Sequence, residues 1–458
     1  MIEVVQAFDR APIAQLESDG AAALEAKLET AARVFGDRDS WLKSHQKLDI
    51  LRKLAVLMAG KREHFGRLIA REGGKPLTDA IIEVDRAVDG VRNAIEVVRT
   101  TGGREVPMGL TTASTSRRAF TIVEPIGVVA AISAFNHPLN LIVHQVVPAI
   151  AAGCPVIIKP ALTTPLCCID FVELVHQAGM PEGWCQTFLP ETNELAEALA
   201  TDRRVAFLSF IGSSRVGWYL RSKLPPGTRC ALEHGGAAPA IIDSSADLDR
   251  LIEPLVKGGY YHAGQVCVST QRIFVHADRE RDFVDRFAAR VIALKVGDPA
   301  LAETEVGPLI LPREADRVST WIDEAVAGGG RLIGGGRVSD TTLKPSVIVN
   351  PPAGAKVSTL EVFGPTTCIY PFTRLHDAVA AANALPVAFQ ASIFTENLNN
   401  ALDVAERIAA SAVMVNDHTA FRTDWMPFAG RRQSGYGVGG IPATMLAMSE
   451  EKMIVFKT

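Results

Sequence analysis

Ile126-Gly127-Val128-Val129-Ala130-Ala131-Ile132-Ser133 is an uncharged run of small and β-branched residues, and Pro155-Val156-Ile157-Ile158-Lys159 is a second. Between them Leu141–Ala152 reads as a helix made mostly of apolar residues. Strands without a polar face need cover on both sides, and strands joined through a helix run parallel. The stretch therefore opens a parallel α/β sheet. It is not a membrane span, because Asn140, His144, Gln145, Pro148 and Pro155 interrupt the apolar run at a cost that lipid would not repay.

The same rhythm continues outward. Helix Pro165–Ala178, strands Gln186–Leu189 and Val205–Phe210, and helix Ser214–Lys223 follow. After Gly235 it restarts with strand Ala238–Asp243, helix Asp247–His262, strand Gln271–His276 and helix Glu280–Lys295, running on to about Arg432. Upstream, residues 18–100 are helix-like: Leu48, Leu51, Leu54, Ala55 and Met58 fall at helical spacing, and Glu72-Gly73-Gly74-Lys75-Pro76 is a helix stop. Arg104–Glu124 is extended and has no helix of its own, so it must pair with something. The glycine-rich piece Gly328–Gly336 reads as a loop. At 458 residues the chain exceeds one ordinary core.

A net charge of −4 gives no general attraction for nucleic acid or acidic membranes. The seven cysteines form no C-x-x-C pair and no zinc spacing, which fits reduced thiols in a cytoplasmic protein without a metal site. Met1-Ile2-Glu3-Val4-Val5-Gln6 carries no basic region ahead of an apolar core, so no signal peptide is expected.

Two segments carry chemistry. Tyr261-His262-Ala263-Gly264-Gln265-Val266-Cys267-Val268-Ser269 puts a cysteine behind a turn whose amides can face a group bonded to sulfur. Leu232-Glu233-His234-Gly235-Gly236 puts a carboxylate at a strand end, and a cysteine nucleophile needs a neighbour that moves protons. Read singly, Cys267 is a small core residue and the Glu233 segment a turn.

Further segments accompany them in order: Phe135-Asn136-His137-Pro138, Lys159-Pro160-Ala161, Phe210-Ile211-Gly212-Ser213, Glu361-Val362-Phe363-Gly364-Pro365, and Pro427-Phe428-Ala429-Gly430 with Ser434-Gly435-Tyr436-Gly437. Over nearly the whole chain this set resembles the aldehyde dehydrogenase superfamily. The resemblance implies two doubly wound parallel-sheet α/β domains and a small β arm for oligomerisation. Residues 1–104 and 125–233 would form the NAD(P)-binding domain and 234–433 the catalytic domain. Residues 105–124 and 434–458 would bridge subunits of a homodimer or homotetramer.

The implied activity is NAD(P)-dependent oxidation of an aldehyde to the acid. Cys267 would form a thiohemiacetal and then a thioester, and Glu233 would activate water to hydrolyse it. Asn136 and the Cys267 N–H would hold the oxyanion, as a rigid neutral amide can. Relatives that pass the acyl group to coenzyme A lack the carboxylate. The resemblance gives cofactor binding to Ser133, Ala134, Lys159, Leu162, Gly212, Ser213, Gly217, Glu361 and Phe363. It gives substrate binding to Phe135, His137, Phe421, Arg422 and Phe428. The G-x-G-x-x-G match at Gly435–Gly440 is a decoy, since no strand runs directly into it and no helix opens at its last glycine.

Three positions depart from the pattern. Leu162 stands where most NAD-using relatives have Glu, so NADP⁺ is expected to be tolerated or preferred. Gln145 stands in place of a lysine, which bears on proton relay. Gly439 replaces a common acid. Arg422 suggests a small hydroxy- or anionic aldehyde, against the alternative that Asp424 or Asp417 holds it as a loop brace. A Cys-His thiol hydrolase using His262 or His234, and a non-catalytic protein retaining the fold, are the rival readings.

Overall fold

The computed structural model describes residues 1–457; Thr458, the last residue of the expected bridging element, lies outside the described residues. Two sheets organise the chain. The first has six strands, in the order Gly435–Tyr436, Arg229–Glu233, Val205–Ile211, Val128–Ile132, Val156–Lys159, Cys185–Thr187. All neighbours are parallel except Gly435–Tyr436, which runs antiparallel to Arg229–Glu233. Helix Asn140–Ala152 is buried at every position, which is why its sequence shows no polar stripe. Each fully buried Ile, Leu or Val contributes about 1.5–3 kcal/mol to holding it against the sheet.

The second sheet has seven strands, in the order Arg331–Gly334, Ser346–Val349, Thr366–Phe372, Thr270–His276, Ala238–Ile242, Gln390–Phe394, Ala412–Val415. Arg331–Gly334 is antiparallel to its neighbour, so the expected loop at Gly328–Gly336 contains an edge strand. Its residues are mostly exposed, which removed the apolar alternation that would have marked it.

Helices Ala21–Gly36, Ser44–Gly60, Arg62–Gly73 and Leu77–Thr100 fill the helical N-terminal region. Gly74 caps the third with φ +73°, the left-handed conformation that its glycine makes cheap. The arm pairs as expected with the tail: Ser449–Lys457 lies antiparallel along Arg117–Pro125, with Glu105–Val106 on the other side. The residues just before that strand differ from expectation. Gly435–Tyr436 joins the first sheet, and helix Ile441–Ala447 packs on helix Asn140–Ala152, burying Ile441 and Met445 in the core beneath it. Only the last strand of 434–458 therefore belongs to the arm. Among the described residues no helix is long and apolar enough to cross a membrane, and no cluster of His, Cys, Asp or Glu suits a metal.

Candidate active site

The strand order reverses at Val128–Ile132, which has Val156–Lys159 on one side and the later strand Val205–Ile211 on the other. Open α/β sheets bind ligands in the crevice beyond such a point. A cavity of about 1220 Å³ lies there. Ser133, Ala134, Phe135, Asn136 and His137 line it as the chain leaves Val128–Ile132, with Lys159, Gly212, Ser213 and Glu233 at or after the ends of three other strands. Cys267, Glu361, Phe363, Arg422 and Phe428 close it from the second half of the chain.

One part of the wall holds unspent polar groups. Ser133 Oγ is buried without a partner. Lys159 has no acidic partner among the described residues, and burial pushes its ammonium down to about 8. Ser213 precedes the ten-residue helix Ser214–Lys223 with no side-chain cap, so that helix offers first-turn N–H groups, and Arg215 lines the wall in the same turn. A helix N-terminus, a lone ammonium and a free hydroxyl suit an anionic, polyhydroxylated ligand. Glu361 accepts the Gly236 N–H at 3.2 Å, and burial pushes its carboxyl up to about 8. A Cβ on Gly235 would lie 1.6 Å from Glu361 Oε1, so only glycine admits the carboxylate here. Phe363 stands edge-on to Phe135, with ring centroids 5.9 Å apart.

The cysteine loop is held in a demanding conformation. His262, Ala263 and Gly264 have φ of 50°, 54° and 71° in succession, which costs about 1 kcal/mol or more at each non-glycine residue. A Cβ on Gly264 would sit 2.2 Å from the Gly364 carbonyl oxygen. Gln265 clamps the turn by donating to the Pro308 carbonyl at 3.1 Å and accepting the Ile310 N–H at 3.0 Å. Its own carbonyl accepts from Asn136 Nδ2 at 2.8 Å, which fixes the amide and leaves its second N–H for another oxygen. The half-buried Cys267 thiol is pushed well up, first by burial and then by Glu233, while Arg422 pulls it down. Burial also raises Glu233, and Arg422 opposes that.

Arg422 is not the expected brace. Asp424 is taken by Arg86 at 2.9 and 3.1 Å, Asn140 at 3.1 Å and His144 at 2.7 Å, while Asp417 accepts the His418 N–H. Arg422 faces Glu233 instead, 3.9 Å away, and stacks on Phe428 with its guanidinium carbon 3.5 Å from the ring centroid.

Three expected contacts lie off the wall. Leu162 is half-buried between the wall residues Ala161 and Thr163. Gly217 makes room for His234, whose ring a Cβ would strike at 2.0 Å. Phe421 is exposed, since Ala420 and Arg422 are the residues of that loop turned inward. Neither rival histidine bonds the sulfur. His234 Nδ1 bonds the Gly212 carbonyl at 2.8 Å, and His262 is buried against His137 with no bond to Cys267.

The other departures acquire reasons. Gln145 donates to the Ser209 carbonyl at 2.9 Å and the Ile132 carbonyl at 3.2 Å, tying two sheet strands. Gly439 bonds both ways with Phe428, at 2.6 and 3.1 Å. A Cβ there would meet the Phe428 carbonyl oxygen at 2.9 Å and Glu233 Oε2 at 3.3 Å, so no acid fits. The Gly435–Gly440 match starts in the edge strand Gly435–Tyr436, and against expectation a helix does open at its last glycine, with Gly440 as N-cap. That helix has only seven residues, and no residue of the match lines the cavity, so it remains a decoy. Sequence reasoning missed Arg86, Asn140 and His144 as site residues. The two on the apolar helix were visible as polar interruptions; Arg86 gave no signal.

Residues 1–454 match the model of the aldehyde dehydrogenase family. The chain is 35% identical over 412 residues to 3-sulfolactaldehyde dehydrogenase of Priestia aryabhattai, covering 90% of this chain and 86% of that one. Aldehyde dehydrogenase 21 of Physcomitrella patens, solved with the reaction product succinate, superposes with a TM-score of 0.95 at 31% identity, covering 100% of this chain and 95% of that one. Glyceraldehyde-3-phosphate dehydrogenase of Methanocaldococcus jannaschii, solved with NADP, gives 0.95 at 29% identity, covering 100% and 99%. The fold, the shared motifs and these matches have one reading: the chain is an enzyme of the aldehyde dehydrogenase family.

Proposed function

We propose that the protein oxidises a small hydroxy- or anionic aldehyde to the free acid with NAD(P)⁺. The observation that carries this is the convergence of Cys267, Glu233 and Asn136 on one cavity whose other groups suit a dinucleotide. The dinucleotide would lie along Ser133, Ala134, Lys159, Gly212 and Ser213, with Glu361 and Phe363 at its nicotinamide end. Once bound it accepts the hydride.

The residues do the rest. Cys267 Sγ adds to the aldehyde carbon as a thiolate, and the Asn136 amide with the Cys267 N–H steadies the oxygen that becomes anionic. After hydride loss the carbon is a thioester on Cys267. Glu233 removes a proton from water as it attacks, the thioester C–S bond breaks, and the thiolate is regenerated. A panel of short aldehydes with each cofactor, followed at the nicotinamide absorbance, checks the class. Ester hydrolysis without cofactor reduction would point to a thiol hydrolase, and silence on every substrate to a retained fold.

Lys159 and Arg215 lie on the wall, and no carboxylate stands at position 162. NADP⁺ should therefore be used at least as well as NAD⁺. Leu162→Glu should lower the NADP⁺ to NAD⁺ ratio of kcat/KM by roughly ten-fold, on the order of 1–2 kcal/mol of charge repulsion. A strictly NAD⁺-dependent wild type with an unchanged mutant would assign the choice to other residues.

Arg422 and Arg86 line the cavity with Cys267, and the relative named above acts on a sulfonated hydroxyaldehyde. An acid-terminated short aldehyde should have a kcat/KM at least ten-fold above its neutral counterpart, and Arg422→Ala should remove that advantage, on the order of 1.4 kcal/mol or more. The ratio isolates the substrate contact from effects on the base that both aldehydes share. An unchanged ratio would leave Arg422 without a part in substrate choice. The tail and arm, with Phe120, Met453, Val455 and Phe456 exposed, would join copies into a homodimer or homotetramer in the cytoplasm.

A further inference from the structure

A buried carboxylate that must be ionised needs a cation, and position 145 supplies none, because its amide is spent on Ser209 and Ile132. Arg422 does face the carboxylate: its Nη1 lies 3.9 Å from Glu233 Oε1, with both side chains largely buried. Three contacts hold the guanidinium there. Phe428 lies flat beneath it, Glu233 stands at one nitrogen, and Nη2 donates to His144 Nδ1 at 3.3 Å. His144 can accept at Nδ1 because its Nε2–H is committed to Asp424 Oδ1 at 2.7 Å. Asp424 is fixed in turn by Arg86 and Asn140. Asp424 thus selects the tautomer of His144, and that tautomer orients Arg422.

We propose that Arg422 is the counter-charge of Glu233, with His144 and Asp424 as its positioning residues. This rests on the reading of Cys267 and Glu233 as nucleophile and base. The charged and titratable groups around them are Cys267, Glu361, His137, His144, Arg86 and Asp424. Arg86 pairs bidentately with Asp424. Burial holds His137 well below the usual imidazole range and His144 at about 4, so both are neutral at working pH. Arg422 is left to oppose the burial that raises Glu233 and Cys267. The sign follows. Removing Arg422 raises the carboxyl and the thiol further, so the ionised forms appear only at higher pH.

The experiment uses the full-length enzyme and a short neutral aldehyde, which offers Arg422 no charge to bind. Two pH profiles are recorded: kcat/KM, and alkylation of Cys267 by iodoacetamide without substrate, followed on its peptide. In R422Q the acid limb of both profiles should move up by about one pH unit or more, the scale set by an opposite charge at this distance. R422K should restore most of the shift, and H144Q should move the limb the same way by less. Should R422Q fail to fold, judged by nucleotide binding, R422K and H144Q carry the comparison. Limbs unmoved in every soluble variant, with only the plateau lowered, would overturn the proposal and make Arg422 a packing residue. Turnover surviving in C267A would overturn the underlying reading instead, so the two failures are distinguishable.

Discussion

Cys267→Ala should lower aldehyde oxidation by roughly 10⁴-fold or more, the scale on which losing the nucleophile acts in a covalent mechanism. Nucleotide affinity should stay within about two-fold, since the groups proposed for the dinucleotide do not include the sulfur. The Cys267 loop is built for this one atom: three left-handed residues, the Gln265 clamp and the Asn136 amide converge beside it. The substitution removes no clamp, so thermal stability should change little. Steady turnover in the purified variant would assign the nucleophile elsewhere, and lost nucleotide binding would assign Cys267 a structural part.

Glu233→Gln should separate the two halves of the reaction. The amide cannot take a proton from water, so hydrolysis should slow by about 10²–10⁴-fold. Acylation should survive, giving about one equivalent of reduced cofactor and then little turnover. Removing the negative charge should also help the thiol ionise, because Glu233 is a principal charge raising Cys267. Alkylation of Cys267 should therefore begin at lower pH in this variant, the opposite direction to R422Q. A variant with the wild-type steady rate would mean that another group serves as base.

Sequence reading was strongest where burial was deepest. Val128–Ile132, Val156–Lys159 and Ala238–Ile242 are covered on both faces, so their apolar runs stand out. The exposed edge strand Arg331–Gly334 and the half-exposed hairpin Ile2–Val5 with Pro12–Leu16 lack that pattern and went unread. Cys267, Glu233 and Asn136 were legible because each sits in a distinctive local motif. The surroundings of Arg422 were not. A nearby acid is the usual partner of a loop arginine, yet Asp424 is claimed by Arg86 from 338 residues away. At Leu162 the motif gives the position but not the direction of the side chain: the backbone path puts Ala161 and Thr163 on the wall, with Leu162 between them.

The most direct measurement mixes E233Q with an aldehyde substrate and NADP⁺, quenches within the first turnover, and weighs the peptide containing Cys267. The mechanism predicts that this peptide gains the mass of the acyl group, near one per active site, and that the adduct persists while cofactor reduction has stopped. An unmodified Cys267 peptide in an enzyme that keeps reducing the cofactor would contradict it.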